Sequence, residues 1–475
     1  MVGALISLAA VRVAMMVLMP LSDTTEARYA EIARKMVETG DWITPQFDYG
    51  IPFWGKPPLH TWLSAAGMGG LGPTEFGARS LIFLSALTIL LVIFFWVRSC
   101  ADVRSALATV VVLSSTVLFF GASGFVMTDI PMTLGVVLCM TGFFQCVTKA
   151  NATWGRLAFL GLAIGLLAKG PVAAVLCLLS IGMWLLTTKR LDLLRILPWR
   201  SGLFILLIVA LPWFVIAELK TLGFLKYFLI GEHFERFVVP DWQGDLYGSG
   251  HREPKGIIWL YGMAAFMPWT LFGFALLPRA RAIALSFRSD EDRLLSFLVF
   301  WALSPLVLFT PAANILAAYT LPGLPAAACL GVLIWRDVGL AGPLARAATV
   351  IAVVFTASLG TALLVANSLQ PNHKKWRSER TLVATLDKIA PSTDLTYFQI
   401  RSYSAEYYRS GQVTVARSLA DLQKLKQNSN RDAIAVGEPH CAQIDRWARP
   451  EFQIVGNFGR HTLFIETVDA AGSHE

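Results

Sequence analysis

The chain has 475 residues, of which 15% are charged and 55% hydrophobic, with a formal net charge of +8. A soluble protein carries roughly a quarter charged residues, so this fraction, with a mean hydropathy of +0.57, excludes an ordinary soluble fold over most of the chain. The basic residues fall mostly in alternate short loops, which speaks for a membrane topology and against nucleic acid, and the six cysteines form no CxxC pair or Cys/His cluster that would imply disulfides or zinc.

In chain order, the apolar run 5–20 lacks a basic leading region and an A-x-A site, which predicts a retained anchor helix rather than a cleaved signal. Arg12 inside it is costly in hydrocarbon and must snorkel, face other helices, or mean that the true start lies upstream. Residues 22–62 form the longest polar interruption of the N-terminal half, and they concentrate carboxylates, basic residues, tryptophans and prolines. Further spans are predicted at 78–97, 106–120, 127–147, 157–168, 171–186, 202–218, 257–277, 294–309, 315–334 and 345–366. With the first helix these make about eleven, within a range of roughly 10 to 13, because several are short and the two separated at Lys169-Gly170-Pro171 also read as one kinked helix.

Beyond 367 the composition becomes that of a soluble domain. Helical patterns at 381–389 and 419–425 alternate with strand-like runs at 395–400, 412–416, 433–436, 452–455 and 462–467. The predicted fold class is therefore an all-α polytopic membrane protein over 1–366 with a small C-terminal α/β domain over 367–475. Lysines and arginines cluster in the loops that would be cytoplasmic, whereas the short opposite turns 121–126 and 310–314 hold none. The positive-inside rule then puts the loops 21–75 and 220–255, and the C-terminal domain, on the outer face.

Within the opening stretch Tyr29, Ile32, Ala33, Met36 and Val37 follow helical spacing, which predicts an amphipathic helix along the outer membrane surface. Arg28, Glu31, Arg34, Lys35 and Glu38 fall on its other faces, and Glu26 falls on the apolar side. Asp23-Thr-Thr-Glu26 also reads as a capping box, with Asp23 as N-cap. Lys56 sits in a rigid turn framed by Phe53, Trp54, Pro57 and Pro58, where it can aim an ammonium at a phosphate or simply snorkel.

Lys169 interrupts an apolar run near the same face, and an ionisable residue there defaults to a functional hypothesis. Asp129 opens a span at that side, either as a working carboxylate or as an acid favoured by the helix dipole. His233 lies in the second outer loop without metal-ligand spacing, and Tyr319 at the outer end of a span reads equally as an aromatic-belt residue. Topology gathers all of these at one face. A lipid-linked sugar transporter would instead carry polar residues through the midplane, and a scaffold would not need both lysines with the carboxylates. Lysines and arginine that stabilise a departing phosphate, and a carboxylate that takes a proton from an attacking hydroxyl, suit glycosyl transfer from a polyprenyl phosphate sugar.

The segments Thr25–Arg34, Gly40-Asp-Trp42, Phe53-Trp-Gly-Lys-Pro-Pro-Leu59, Ala168-Lys-Gly-Pro171, Glu232-His-Phe-Glu-Arg-Phe237 and Tyr319-Thr-Leu-Pro322 resemble, in order, the motifs of bacterial GT-C membrane glycosyltransferases. The nearest groups are the lipid A aminoarabinose transferases and galacturonosyltransferases, with protein mannosyltransferases more distant. The resemblance implies an inverting enzyme of the bacterial inner membrane, working on its periplasmic face with an undecaprenyl phosphate sugar donor. It implies a lipid A-like glycolipid acceptor, with protein or polysaccharide as alternatives, and a monomer amid membrane lipids. By position it carries catalytic roles to Asp23, Glu26 and Asp129, donor-phosphate binding to Arg28, Lys56 and Lys169, and substrate contact to Tyr29, Trp54, His233 and Tyr319.

The chain departs from the aminoarabinose transferases in three places. Thr25-Glu26 replaces an Asp-Glu pair, so either Asp23 or Glu26 can be the essential carboxylate; Gly55 replaces a Glu; and Asn314 stands where a basic residue is common. No cofactor is implied with certainty. A divalent metal stays open, with His233 as its candidate ligand.

Overall fold

A computed structural model describes residues 1–240, 242–248, 252–290, 293–340, 342–425 and 431–467. Eight helices among them are long and apolar enough to cross a membrane, and with three shorter apolar helices, Val2–Leu18, Val103–Ser114 and Leu294–Phe309, they number eleven; the span expected at 257–277 is instead broken between Ala265 and Trp269, and the long apolar stretch runs Trp269–Ser289. The chain is thus a multi-pass, mostly helical membrane protein with a small C-terminal sheet.

The N-terminal half runs through α1 (Val2–Leu18), α2 (Thr25–Thr39), the hairpin β1 (Gln46–Asp48) and β2 (Ile51–Pro52), α3 (Leu59–Leu71) and α4 (Glu75–Cys100). After the shorter α5 (Val103–Ser114) come α6 (Asp129–Lys149), α7 (Ala152–Lys169), α8 (Pro171–Thr188) and α9 (Trp199–Lys220). The tightest pair is α6 and α7, because glycines meet at the crossing. A Cβ on Gly161 would stand 2.4 Å from the Cys139 nitrogen and 2.6 Å from the Gly135 oxygen. Lipid tails offer no hydrophobic drive, so this backbone approach supplies the packing that joins the helices.

The break at Lys169-Gly170-Pro171 separates two helices. Gly170 has φ +78° and Pro171 begins α8, while a Cβ at Gly170 would strike the Phe228 ring at 2.5 Å. The turn therefore holds the Lys169 backbone against the segment Tyr227–Glu235, a stretch of π-helix. The last long span is α10 (Pro343–Leu369).

The C-terminal part then forms a five-stranded mixed sheet from β3 (Asp394–Phe398), β4 (Val413–Ala416), β5 (Asp432–Gly437), β6 (Phe452–Phe458) and β7 (His461–Glu466), in the order β4-β3-β5-β7-β6. Strands β4, β3 and β5 are parallel, and β7 is antiparallel to both β5 and β6. Helices Arg380–Ile389 and Leu419–Leu425 follow the expected pattern; Tyr403–Tyr408 and Cys441–Ala448 are additions to it.

The opening helix differs from its expected role. Tyr29, Ile32, Ala33 and Met36 are buried as predicted, but so are Glu31, Arg34 and Lys35. Lys35 is 1% exposed, with Glu31, Asp48 and Glu406 at 3.6, 3.6 and 3.7 Å. The polar face of α2 is covered by the sheet domain, and its charges are affordable there because they pair. The predicted capping box does not form. Thr24 is the N-cap, while Asp23 accepts from the Ser404 amide and hydroxyl at 2.9 and 2.8 Å and from the Ser402 hydroxyl at 3.0 Å.

Candidate active site

A cavity of about 530 Å³ lies between the helix bundle, the opening stretch, the segment 227–248 and the sheet domain. The first turn of α2 lends Thr25, Arg28 and Tyr29; the turn after β2 lends Gly55 and Lys56; the facing ends of α6 and α7 lend Asp129 and Lys169. Glu232, His233, Arg236, Asp245 and Tyr247 close the second side, with Asn314 and Tyr319 below and Tyr403 from the sheet domain above. These are chain segments that hydrophobic spans bring to one end of the bundle, where polar side chains stay accessible to water.

Each lysine faces a carboxylate. Lys56 donates to Glu232 at 2.8 Å, and Lys169 to Asp129 at 2.5 Å with its ammonium 4.5 Å from the Tyr319 ring centroid. Arg236 reaches Glu232 at 3.1 Å and Asp245 at 3.2 Å. Burial raises the proton affinity of the Glu232 carboxyl, but the Lys56 ammonium and Arg236 guanidinium outweigh it and hold this acid below the ordinary carboxylate range. Arg28 donates to the Tyr247 carbonyl and lies between two aromatic rings, 5.3 Å from Tyr29 and 5.9 Å from Tyr403. Asn314 donates to the Arg236 carbonyl at 2.7 Å, while its buried Oδ1 has no hydrogen-bond partner.

Of the residues singled out from sequence, Arg28, Tyr29, Lys56, Asp129, Lys169, His233 and Tyr319 converge on this cavity. Three do not. Asp23 turns to the serines of the sheet domain, and Glu26 is buried in a bidentate pair with Arg79 at 2.8 and 2.9 Å. Trp54 stands behind the wall and donates to Thr221 Oγ1 at 3.1 Å.

Glu232, Arg236, Asp245, Tyr247, Asn314 and Tyr403 also line the cavity; the first two lie in a segment that carries the resemblance and Asn314 is one of the departures, but the sequence assigns a role to none of them. The spacing of Glu232 and Arg236, one helical turn apart, was the available signal for the first two. Tyr403 carried none, since it comes from a domain without recognisable motifs.

The donor set around His233 does not suit a metal ion. Its Nδ1 lies 2.7 Å from the Phe228 carbonyl and its Nε2 3.2 Å from the Lys169 carbonyl, so both ring nitrogens are engaged. Burial and the nearby Lys56 charge hold the imidazole below its ordinary pKa. Among the described residues no group of three or more His, Cys, Asp or Glu side chains is arranged as a metal site.

Comparison with known proteins adds the setting. The sequence model of the dolichyl-phosphate-mannose-protein mannosyltransferase family matches residues 9–228. Relatives named undecaprenyl phosphate-α-4-amino-4-deoxy-L-arabinose arabinosyl transferase include those of Shewanella sediminis, 28% identical over 302 residues, and Erwinia tasmaniensis, 30% identical over 307. Each alignment covers 62% of this chain and 52% of the relative, so the match spans about half the length of these curated proteins.

Among solved structures, ArnT from Cupriavidus metallidurans bound to undecaprenyl phosphate superposes with a TM-score of 0.81 at 18% identity, covering 99% of this chain and 98% of that one. Its apo form gives 0.79 at the same identity. The chain therefore has the ArnT fold and resembles the GT-C membrane glycosyltransferases of the lipid A aminoarabinose transferase type.

Proposed function

We propose that this protein is an inverting glycosyltransferase that moves a sugar from undecaprenyl phosphate to a lipid A-like glycolipid. One observation carries the reading: Lys56, Lys169 and Arg28 converge with Asp129 in a single cavity at the end of the membrane bundle. The relatives act, by name, with an undecaprenyl phosphate-linked aminoarabinose, and a chain of the same fold binds undecaprenyl phosphate.

On this reading the donor phosphate takes Lys56 from Glu232 and Lys169 from Asp129. The freed Asp129 carboxylate accepts the proton of the acceptor hydroxyl as its oxygen attacks the anomeric carbon. The bond from that carbon to the phosphate oxygen breaks, and polyprenyl phosphate departs with its charge held by the two ammonium groups and Arg28. Stabilising this developing charge in a site screened from bulk water is the main contribution such a site makes, and positioned proton transfer adds to it. Asp23 and Glu26 hold the first turn of α2, and through it Arg28, in place. No step is routed through a metal.

Residues 1–366 form the membrane unit, with the loops 21–75 and 220–255 facing the periplasm. Residues 367–475 are the periplasmic domain, and the protein resides in the bacterial inner membrane.

The test uses the full chain in nanodiscs with an undecaprenyl phosphate sugar and lipid A, read by mass spectrometry of the extracted lipids. A lipid A species heavier by one sugar residue, with matching release of undecaprenyl phosphate, is the expected result. An unchanged lipid A beside an active aminoarabinose transferase control overturns the acceptor assignment.

A further inference from the structure

The basic residues around the cavity are mostly spoken for. Arg34 pairs with Glu31, Lys56 with Glu232, Lys169 with Asp129, Lys220 with Asp41 and Arg236 with Glu232. One short stretch departs from this rule. Immediately after α10, the sequence His373-Lys-Lys-Trp-Arg377 places three exposed cations at the membrane end of the sheet domain. Among the described residues Lys374, Lys375 and Arg377 are in no ion pair. A cluster of this sign on the side of the bundle away from the basic loops runs against the charge asymmetry of the rest of the chain.

The stretch is built rather than frayed. Trp376 Nε1 donates to the Gln370 carbonyl at 2.8 Å, which folds the segment back on the end of α10. The Arg377 carbonyl accepts from the Asp23 amide at 2.7 Å, which ties it to the opening stretch. On the other side the β6–β7 turn at Gly459 packs against Asn372 and Lys374, and Arg460 in that turn adds a fourth cation 3.9 Å from Asp23. Leu369, the last residue of the apolar span α10, is 76% exposed, and Lys374, Lys375 and Arg377 follow it within eight residues. Next to Asp23 in the chain, Thr24 and Thr25 already line the cavity.

We propose that Lys374, Lys375, Arg377 and Arg460 form a docking surface for the phosphate groups of the glycolipid acceptor, beside the cavity mouth. The proposal rests on the acceptor class read above. Exposed cations at a bilayer surface attract anionic headgroups, and this turn is fixed by three neighbours, so it pays little ordering cost on binding. The acceptor's phosphates would anchor here while its reacting hydroxyl enters beside Thr25.

The experiment compares wild type with the triple variant Lys374→Gln/Lys375→Gln/Arg377→Gln, as full chains in nanodiscs of zwitterionic lipid. Native mass spectrometry titrates lipid A bearing its phosphates and the same glycolipid stripped of them. Wild type is expected to prefer the phosphorylated form by about tenfold or more, and the triple variant to lose that preference. Undecaprenyl phosphate binding and the unfolding temperature stay unchanged, and Lys374→Arg/Lys375→Arg/Arg377→Lys restores the preference.

A triple variant that keeps the full preference overturns the proposal. So does phosphatidylglycerol competing as well as phosphorylated lipid A, since the surface would then read any anionic headgroup. Sugar transfer is measured in parallel. A wild type that transfers to no glycolipid overturns the functional reading, whereas the binding titration needs no turnover and still decides the docking surface.

Discussion

Lys56 and Glu232, 176 residues apart in the chain, meet at 2.8 Å on the cavity wall, so the cation expected to hold the donor phosphate already holds a carboxylate. The carboxylate marks where the phosphate goes. Lys56→Ala should reduce sugar transfer by at least about 100-fold, as loss of one charge-stabilising donor does elsewhere, with normal membrane insertion. Glu232→Gln removes the competitor and should lower the donor KM roughly fivefold, by lifting a like-charge contact with the phosphate. Donor titrations on the two variants check both outcomes, and full activity in Lys56→Ala would remove its phosphate role.

Asp129 and Lys169 form the second such pair. Asp129→Asn keeps the shape and removes the proposed base, so kcat should fall by about 10²- to 10⁴-fold with the donor KM little changed. Lys169→Ala should instead raise the donor KM as well as lower kcat. Equal effects of the two variants on both constants would merge the roles assigned to them.

The Glu26 pair with Arg79 is structural, with side chains 1% and 4% exposed. Breaking it leaves an uncompensated buried charge, so Glu26→Gln should cost about 3–5 kcal/mol of stability. The double variant Glu26→Gln/Arg79→Met should recover much of that loss, as read by unfolding in detergent. An unaltered unfolding midpoint with abolished transfer would return Glu26 to the list of catalytic carboxylates.

His60 gives a pH signature outside the spans. Burial, helped by the Lys56 charge, pushes its imidazole down to about 3 from 6.5. Between these values the unfolded chain takes up a proton that the folded chain refuses. Stability from this group is complete above about 6.5 and declines as pH falls toward 3, by about 2 kcal/mol at pH 5. His60→Gln should flatten that slope in an unfolding series against pH.

At the α6–α7 crossing, Gly161→Leu forces side-chain atoms into the Gly135 and Cys139 backbone. A loss of about 1–3 kcal/mol or more is expected from overpacking, seen as a lower unfolding temperature. Gly182, which has nothing within 4 Å of an added Cβ, is the matched control.

The spans were legible because hydrocarbon permits few alternatives to an apolar helix, and the strands of the sheet were legible from their apolar runs. Asp129 and Lys169 stood out because charges at span ends are costly and therefore informative, and Lys56 stood out from the rigid turn of aromatic residues and prolines around it. Asp23 and Glu26 stood out as carboxylates beside the same face, and the structure turns both away from the cavity. A buried carboxylate signals a partner, and sequence does not say whether that partner is substrate, Arg79 or Ser404. The burial of Lys35 under Glu406, and the arrival of Tyr403 at the cavity, depend on contacts spanning more than 350 residues, which no local pattern encodes.

Tyr403 has a consequence for biogenesis. The segments holding Lys56 and Lys169 emerge from the ribosome long before the domain that supplies this ring and the serines that hydrogen-bond Asp23. A chain halted after α10 would carry Lys56 and Lys169 with one wall of the cavity missing and the start of α2 untethered. Folding of the sheet domain onto α2 is thus the step at which the cavity gains its remaining wall.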